Sequence, residues 1–205
     1  MKIVSSEFVK SSKDVNLCPQ ENIPEYAFIG RSNVGKSSLI NKLTNKKKLA
    51  KISGTPGKTQ LINHFVINQE VKPWYLVDLP GYGFAKAPKS EKTKWMGFIR
   101  RYMTSRENLV CVFVLVDSRH SPQRVDLEFM EWLAIKSIPF IIVFTKGDKL
   151  SNPKLVKSIA SYKKKMLLSW EFLPQTFVTS AESGSGVTEL LAYIEQLNID
   201  FRTHK

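Results

Sequence analysis

Three short groups of residues in this chain have the types and spacing of a phosphoryl-transfer site. The first is Gly30-Arg31-Ser32-Asn33-Val34-Gly35-Lys36-Ser37, which fits the pattern G-x-x-x-x-G-K-S/T. Glycines in such a loop let successive backbone N–H groups turn inward around phosphate oxygens. Lys36 is then placed to reach the outer phosphates, and the Ser37 hydroxyl to ligate Mg²⁺. The second group is Asp78-Leu79-Pro80-Gly81. An Asp at a strand end beside a phosphate loop is where a Mg²⁺-directing carboxylate belongs, and Gly81 offers an uncovered backbone N–H to a γ-phosphate. The third is Thr145-Lys146-Gly147-Asp148. Guanine presents N1–H and its exocyclic amine on one edge, and a fixed Asp148 carboxylate accepts from both. Adenine has no donor at N1 and would leave that carboxylate unpaired, at a cost of about 1–3 kcal/mol. The Lys146 stem can lie along the purine face, with backbone N–H groups of Ser180 and Ala181 closing its far side.

These groups need a scaffold that delivers them to one place. Tyr26 to Ile29 is a short apolar run that reads as a buried strand, and Ser37 to Leu43 reads as a helix with Leu39, Ile40 and Leu43 on one face. Strand, loop, helix is the context a phosphate loop requires, and the helix N-terminus adds its own partial positive charge. Leu61 to Ile67 and Trp74 to Val77, joined by a short polar loop, read as an antiparallel hairpin that ends at Asp78. Trp95, Phe98, Ile99, Tyr102 and Met103 form an apolar helical stripe, with Lys94, Arg100 and Arg101 off it towards solvent. Leu109 to Val116 reads as a central parallel strand ending at Asp117.

Ser121-Pro122 predicts a helix start as N-cap and first-turn proline, with Val125, Phe129 and Leu133 buried. Ile138 to Phe144 is a further strand. Asn152-Pro153 predicts the cap of the next helix, which buries Leu155, Ile159, Tyr162 and Met166. Thr176 to Val178 is the last strand, and the final helix carries Leu190, Leu191, Ile194 and Leu197 on one side. The order predicts an α/β three-layer domain, with a mostly parallel sheet and one antiparallel edge strand. Ligands bind beyond the carboxyl ends of such strands, and all three chemical groups fall there. Residues 1–24 carry little pattern; Phe8 and Val9 fit a short edge element or a loosely docked arm.

The 205 residues suit one domain, or one domain with a short extension. An apolar fraction of 42% and a charged fraction of 24% are those of a soluble globular protein. The longest apolar runs are too short to span a bilayer, and the N-terminus lacks the apolar core of a secretion signal, so a cytoplasmic protein without membrane attachment is expected. Cys18 and Cys111 are far apart and in no metal spacing, which reads as two reduced thiols. His64, alone among strand residues, reads as a packed imidazole rather than a metal ligand. The formal net charge of +13 points to a phosphate-rich partner, most often nucleic acid. The lysine runs at 46–48 and 163–165 read equally as solvated helix ends.

With these residues in view, the chain resembles the EngB (YsxC/YihA) family of bacterial GTPases, translation-factor-class proteins implicated in large ribosomal subunit assembly and needed for normal cell division. The resemblance covers roughly Tyr26 to Leu197. It is carried by Gly30 to Asn41, Pro56-Gly57-Lys58-Thr59-Gln60, Asp78 to Lys86 with its Gly-Tyr-Gly-Phe-Ala-Lys stretch, Asp117-Ser118-Arg119-His120, Thr145 to Asp148 and Ser180-Ala181-Glu182. It implies a three-layer, Ras-like P-loop GTPase domain over residues 25–205 and an N-terminal extension over 1–24. It further implies GTP or GDP bound by Gly30 to Ser37, Gly57-Lys58-Thr59-Gln60-Leu61, Asp78 to Gly81, Thr145 to Asp148 and Thr179-Ser180-Ala181. Lys36, Thr59 and Gly81 would be the catalytic residues. Ser37 and Thr59 would ligate Mg²⁺, with Asp78 acting through water; Thr55 is the rival for the γ-phosphate-sensing role of Thr59.

Many regulatory GTPases place a Gln just after the D-x-x-G glycine to orient the attacking water; here that position is Tyr82, which implies slow intrinsic hydrolysis. Asn33 matches the phosphate-loop Asn of K⁺-stimulated GTPases, implying a K⁺ ion beside it in the place of an arginine finger. The implied partners are a ribosomal subunit and its RNA, met by a monomer through its basic surface. Two rival readings use the same residues. An ATPase or nucleotide kinase conflicts with Asp148, and an RNA-binding module with a vestigial nucleotide site conflicts with Lys36, Ser37 and Asp78.

Overall fold

The computed structural model describes residues 1–50, 61–82 and 89–203, with the backbone alone over 89–92. Seven strands form one sheet in the order β1-β3-β4-β2-β5-β6-β7. They are β1 (Ser6–Ser12), β2 (Glu25–Gly30), β3 (Ile62–Ile67), β4 (Trp74–Asp78), β5 (Leu109–Asp117), β6 (Phe140–Thr145) and β7 (Thr176–Val178). Among the described residues five α-helices complete it: α1 (Lys36–Leu43), α2 (Lys89–Ser105), α3 (Arg124–Ile135), α4 (Asn152–Met166) and α5 (Val187–Thr203). Strands β4, β2, β5, β6 and β7 run parallel. Only β3 opposes its neighbours, as the hairpin predicts. The outer place at that edge is taken by β1, which pairs with β3 from Ser6–Ile67 to Ser12–Ile62, so the antiparallel strand lies second from the edge.

The central strands are apolar throughout because both faces are covered. Ala27 and Ile29 of β2, Val112, Val114 and Val116 of β5, and Ile142 and Phe144 of β6 face a core completed by α2, α3 and α4. The alternate residues Tyr26, Phe28, Cys111, Phe113, Leu115, Ile141 and Val143 face α1 and α5. Each of these Val, Leu, Ile and Phe side chains contributes roughly 1.5–3 kcal/mol by burial. Burial also pushes the Cys111 thiol up to about 12 and raises that of Cys18; both are free thiols.

Two helix starts differ from expectation. α3 begins at Arg124 with Gln123 as its cap rather than at Ser121-Pro122. Ser121 instead accepts from the Gln123 amide at its own carbonyl, and Pro122 precedes the cap. α4 is capped by Ser151, one residue before the expected Asn152, which leaves Pro153 in the first turn.

A buried charge cluster ties the sheet together at the amino-terminal end of β2, away from the motif-bearing ends. The fully buried Glu25 carboxylate lies 2.8 Å from Arg106 Nη2 and 3.4 Å from Nε2 of the equally buried His64, and it also accepts from the Tyr102 hydroxyl. His64 packs edge-on against Tyr75 and Tyr102, so it is a packed imidazole. Burial alone would raise the Glu25 pKa; contacts from His64 and Arg106 outweigh it and hold the group at about 2. A depressed carboxylate stabilises the fold fully above its ordinary value of 4.5, and that contribution is lost as pH falls from there towards 2. About 3 kcal/mol of unfolding free energy should disappear over this window. Urea titrations at stepped pH should show the fall in the native protein and a much flatter profile in Glu25→Gln. Parallel profiles would mean that Glu25 is not responsible.

Candidate functional site

Every parallel strand delivers a motif residue to the same edge of the sheet. β2 ends at Gly30, β4 at Asp78, β5 at Asp117 and β6 at Thr145, and β7 runs into Thr179 and Ser180. The loop after β2 turns through Asn33 (φ 62°) and Gly35 (φ 104°), and Gly35 caps α1. A positive φ of that size at Gly35 is easy only without a Cβ. It sets Lys36 in the first turn, where a cation opposes the helix dipole. Helix formation therefore gives no reason for a lysine there. Its ammonium forms an ion pair with Asp78 at the end of β4. Ser37 follows in the same turn, half-buried.

Gly81 packs directly on the loop. A Cβ there would come within 2.7 Å of the Gly30 carbonyl oxygen. Tyr82 N–H donates to that carbonyl at 3.2 Å, and Arg31 and Tyr82 form an isolated parallel bridge. The second group is thus stitched to the first by backbone. Leu79 and Pro80 are buried between them, and Leu61, half-buried, immediately precedes β3.

The third group is tied to the first by side chains. Thr145, 3% exposed, donates its hydroxyl to the Val34 carbonyl at 2.6 Å and lies 3.2 Å from that of Val116. Lys146, itself at φ 58°, reaches back over Gly35 and donates to the Asn33 carbonyl at 2.6 Å. Asp117 holds the same ammonium at 3.0 Å and Arg119 at 2.8 Å. Burial would raise the Asp117 pKa, but hydrogen bonds from Arg119 and Lys146 hold it well below the carboxylate range.

A cleft of about 590 Å³ opens beside this junction, lined by Gly35, Ser38 and Lys42 on one side and by Thr145, Lys146, Asp148, Thr179 and Ala181 on the other. Asp148 faces it with its Oδ1 fixed by the Ser180 hydroxyl at 2.6 Å and its Oδ2 3.0 Å from Lys149. The Ser180 bond and the Lys149 contact lower its pKa. One expectation is corrected: the Ser180 backbone N–H is bonded to the Ser185 carbonyl at 3.0 Å, so Ser180 acts on Asp148 through its hydroxyl. Ala181 lines the cleft. Thr55, Gly57, Lys58, Thr59 and Gln60, together with Gly83 to Pro88, lie outside the described residues.

Residues 25–146 match the family described as "50S ribosome-binding GTPase". A probable GTP-binding protein EngB of Christiangramia forsetii is 57% identical over 97% of this chain and 98% of its own length. The chain belongs to the EngB family. It binds GTP and GDP and is a GTPase. A crystal structure of a probable GTP-binding protein EngB superposes with a TM-score of 0.68 at 25% identity, covering 86% of this chain and 99% of that one. The fold is shared as well by Era, solved in complex with MgGDPNP and a segment of 16S ribosomal RNA, at a TM-score of 0.69 and 23% identity over 85% of this chain and 56% of that one.

In this EngB-family chain two functional-looking carboxylates were not assigned from sequence. Asp117 anchors Lys146, and its place at the end of an apolar strand run was the available signal. Asp126 of α3 is 1% exposed and lies 3.3 Å from Nε of Arg31 in the phosphate loop. Burial raises its pKa, with Arg31 opposing. Its spacing with Phe129, Met130 and Leu133 placed it on the buried face. Tyr82 is 2% exposed and packs its ring on Phe129 at 4.7 Å between centroids, so its side chain is turned into α3. Among the described residues no helix is long and apolar enough to cross a membrane.

Proposed function

We propose that this protein is a slow GTP-driven switch that acts in assembly of the large ribosomal subunit and so supports normal cell division. One observation carries the reading: at one sheet edge the Lys36–Asp78 ion pair stands at the phosphate loop, and Thr145 ties that loop to the cleft lined by Gly35, Lys146 and Asp148. That geometry favours a purine nucleotide with its phosphates at Gly30 to Ser37 and a guanine edge at Asp148. Lys36 and the Gly81 N–H would meet the γ-phosphate, with Thr59 completing the catalytic set. Gly57 to Leu61 would close over the nucleotide, Leu79 and Pro80 would hold Asp78 in line, and Thr179 to Ala181 would wall the base.

The donor set suits Mg²⁺, a hard cation that takes oxygen ligands, because the Ser37 hydroxyl and the Asp78 carboxylate flank the same phosphate loop. Ser37 and Thr59 would ligate the ion and Asp78 would hold one of its waters; bound there, Mg²⁺ neutralises developing phosphate charge. With Tyr82 turned into α3, no side chain from that position orients water, and a K⁺ ion held beside Asn33 would supply charge instead. The partner is ribosomal RNA of the large subunit, met through the surface of a chain with net charge +13. In this reading the protein works as a cytoplasmic monomer off the membrane. Residues 25–205 are its GTP-binding domain and residues 1–24 an extension.

Co-sedimentation with purified ribosomal subunits in GDP, in a GTP analogue and without nucleotide tests partner and switching together, with hydrolysis followed in K⁺ and in Na⁺. Binding to large subunits that is strongest in one nucleotide state, falls steeply with salt and hydrolyses faster in K⁺ is the expected result. Nucleotide-blind sedimentation with a flat salt response would overturn the switch, and equal rates in both cations would remove K⁺ from it.

A further inference from the structure

The end of the sheet opposite the nucleotide cleft leaves large apolar side chains in solvent. Phe172 is 79% exposed, Leu168 and Ile135 each 73%, and Leu167 53%. They belong to the segments leading into β6 and β7. Trp170 joins these segments by packing edge-on against Phe140, with centroids 5.9 Å apart. Around them stand Lys136, Lys164 and Lys165, all exposed, and the half-buried Lys163. Among the described residues none of these lysines lies in a salt bridge, and Glu171 is the one carboxylate between positions 163 and 172.

Lysines at the end of α4 complement its dipole. That accounts for the charges and not for the bare leucines and phenylalanine beside them. A protein-binding patch of this kind would be depleted of lysine at its centre. A flat exposed ring beside unpaired ammonium groups instead matches single-stranded RNA, whose phosphates take the cations and whose bases stack on aromatic faces. We infer that this face holds a single-stranded segment of ribosomal RNA, with Lys136, Lys164 and Lys165 on its phosphates and an unpaired base stacked on Phe172. The inference rests on the proposed ribosomal role. β6 separates this face from Thr145 and the nucleotide cleft by roughly 20 Å. The contact is therefore a standing anchor, independent of which nucleotide is bound.

The test uses the full chain with a fluorescent 20-nucleotide oligouridine and with purified large ribosomal subunits. Phe172→Ala should weaken oligouridine binding about tenfold and leave its salt slope unchanged. Lys164→Glu with Lys165→Glu should weaken it and flatten the slope of log affinity against log salt by roughly one to two. Both variants should keep native GTP hydrolysis, because the residues are exposed and remote from the cleft; Phe172→Ala should keep the native melting temperature, the double glutamate variant should lose a few degrees at most by opposing the α4 dipole, and oligouridine affinities should agree in GDP and GTP-analogue states. Variants that bind oligouridine and subunits like the native protein would overturn the anchor while leaving ribosomal docking intact. A native protein that binds neither would overturn both. Tight binding to phosphatidylglycerol vesicles that is lost in Phe172→Ala, with RNA binding unaffected, would assign the face to lipid and overturn the inference.

Discussion

Lys36→Ala is expected to slow GTP hydrolysis on the order of 10³-fold, with a smaller loss of nucleotide affinity. Preorganised cations and donors aimed at developing phosphate charge are typically worth 10²–10³ in rate each, and a lysine acting on the transferred group combines both roles. The structure offers no competing account of this residue. Its charge sits at the wrong end of α1 for helix stability, and its only ion-pair partner among the described residues is Asp78, itself a residue of the site. Removing the lysine leaves the nearly buried Asp78 without its ion-pair partner. A melting curve must therefore accompany the kinetics, and Lys36→Gln, which keeps the length and a neutral donor, separates lost charge from lost packing. Single-turnover hydrolysis at saturating GTP reads the effect. Rates within a few-fold of native in both variants, on folded protein, would place the catalytic charge elsewhere.

Asp148→Asn is the second large effect, and it changes preference as well as affinity. The native carboxylate, oriented by the Ser180 hydroxyl, would in the proposed reading accept from two guanine donors. Hydrogen bonds to a charged group contribute about 1.5–3 kcal/mol each. Losing both should weaken GTP binding on the order of 10³-fold. An amide presents one acceptor and one donor, and xanthine carries a carbonyl where guanine carries its amine. The variant should therefore bind xanthosine triphosphate better than GTP, while ATP stays poor for both proteins. Competition of the three triphosphates against labelled GDP and labelled xanthosine diphosphate measures this. An unchanged order of preference would mean that the base is read by other residues.

Much of this site was legible because buried parallel strands declare themselves. Short apolar runs closed by Gly30, Asp78, Asp117 and Thr145 mark carboxyl ends, and a parallel sheet brings those ends together. β1 was only half legible. Its two most buried positions are Ser6 and Ser12, so no apolar alternation marks it. What holds it is pairing with β3 and the Asn68 side chain, which accepts from Val4 N–H at 2.7 Å. Sequence pattern cannot announce a strand whose partners lie some 60 positions away and whose side chains are polar.

The roles inside the site were less legible than its location. The Lys146 stem was read as lying along the purine and Thr145 was given no contact of its own; the Thr145 hydroxyl and the Lys146 ammonium bond to carbonyls of the phosphate loop. Such ties depend on which way a loop carbonyl points, and residue type does not encode that. Asp126 was passed over because acidic residues on a helix usually face water; its partner Arg31 lies 95 positions earlier in the chain.

The lodging of Tyr82 against Phe129 and beside the buried Asp126 bears on mutational history. A change of Tyr82 to glutamine would not simply add a water-orienting amide. It would empty an aromatic-sized space on α3 and lose packing there before any rate was gained. A faster, self-timed enzyme therefore lies at least two substitutions away, across a less stable intermediate. If hydrolysis is slow as proposed, its timing would have to come from the surface on which the protein docks.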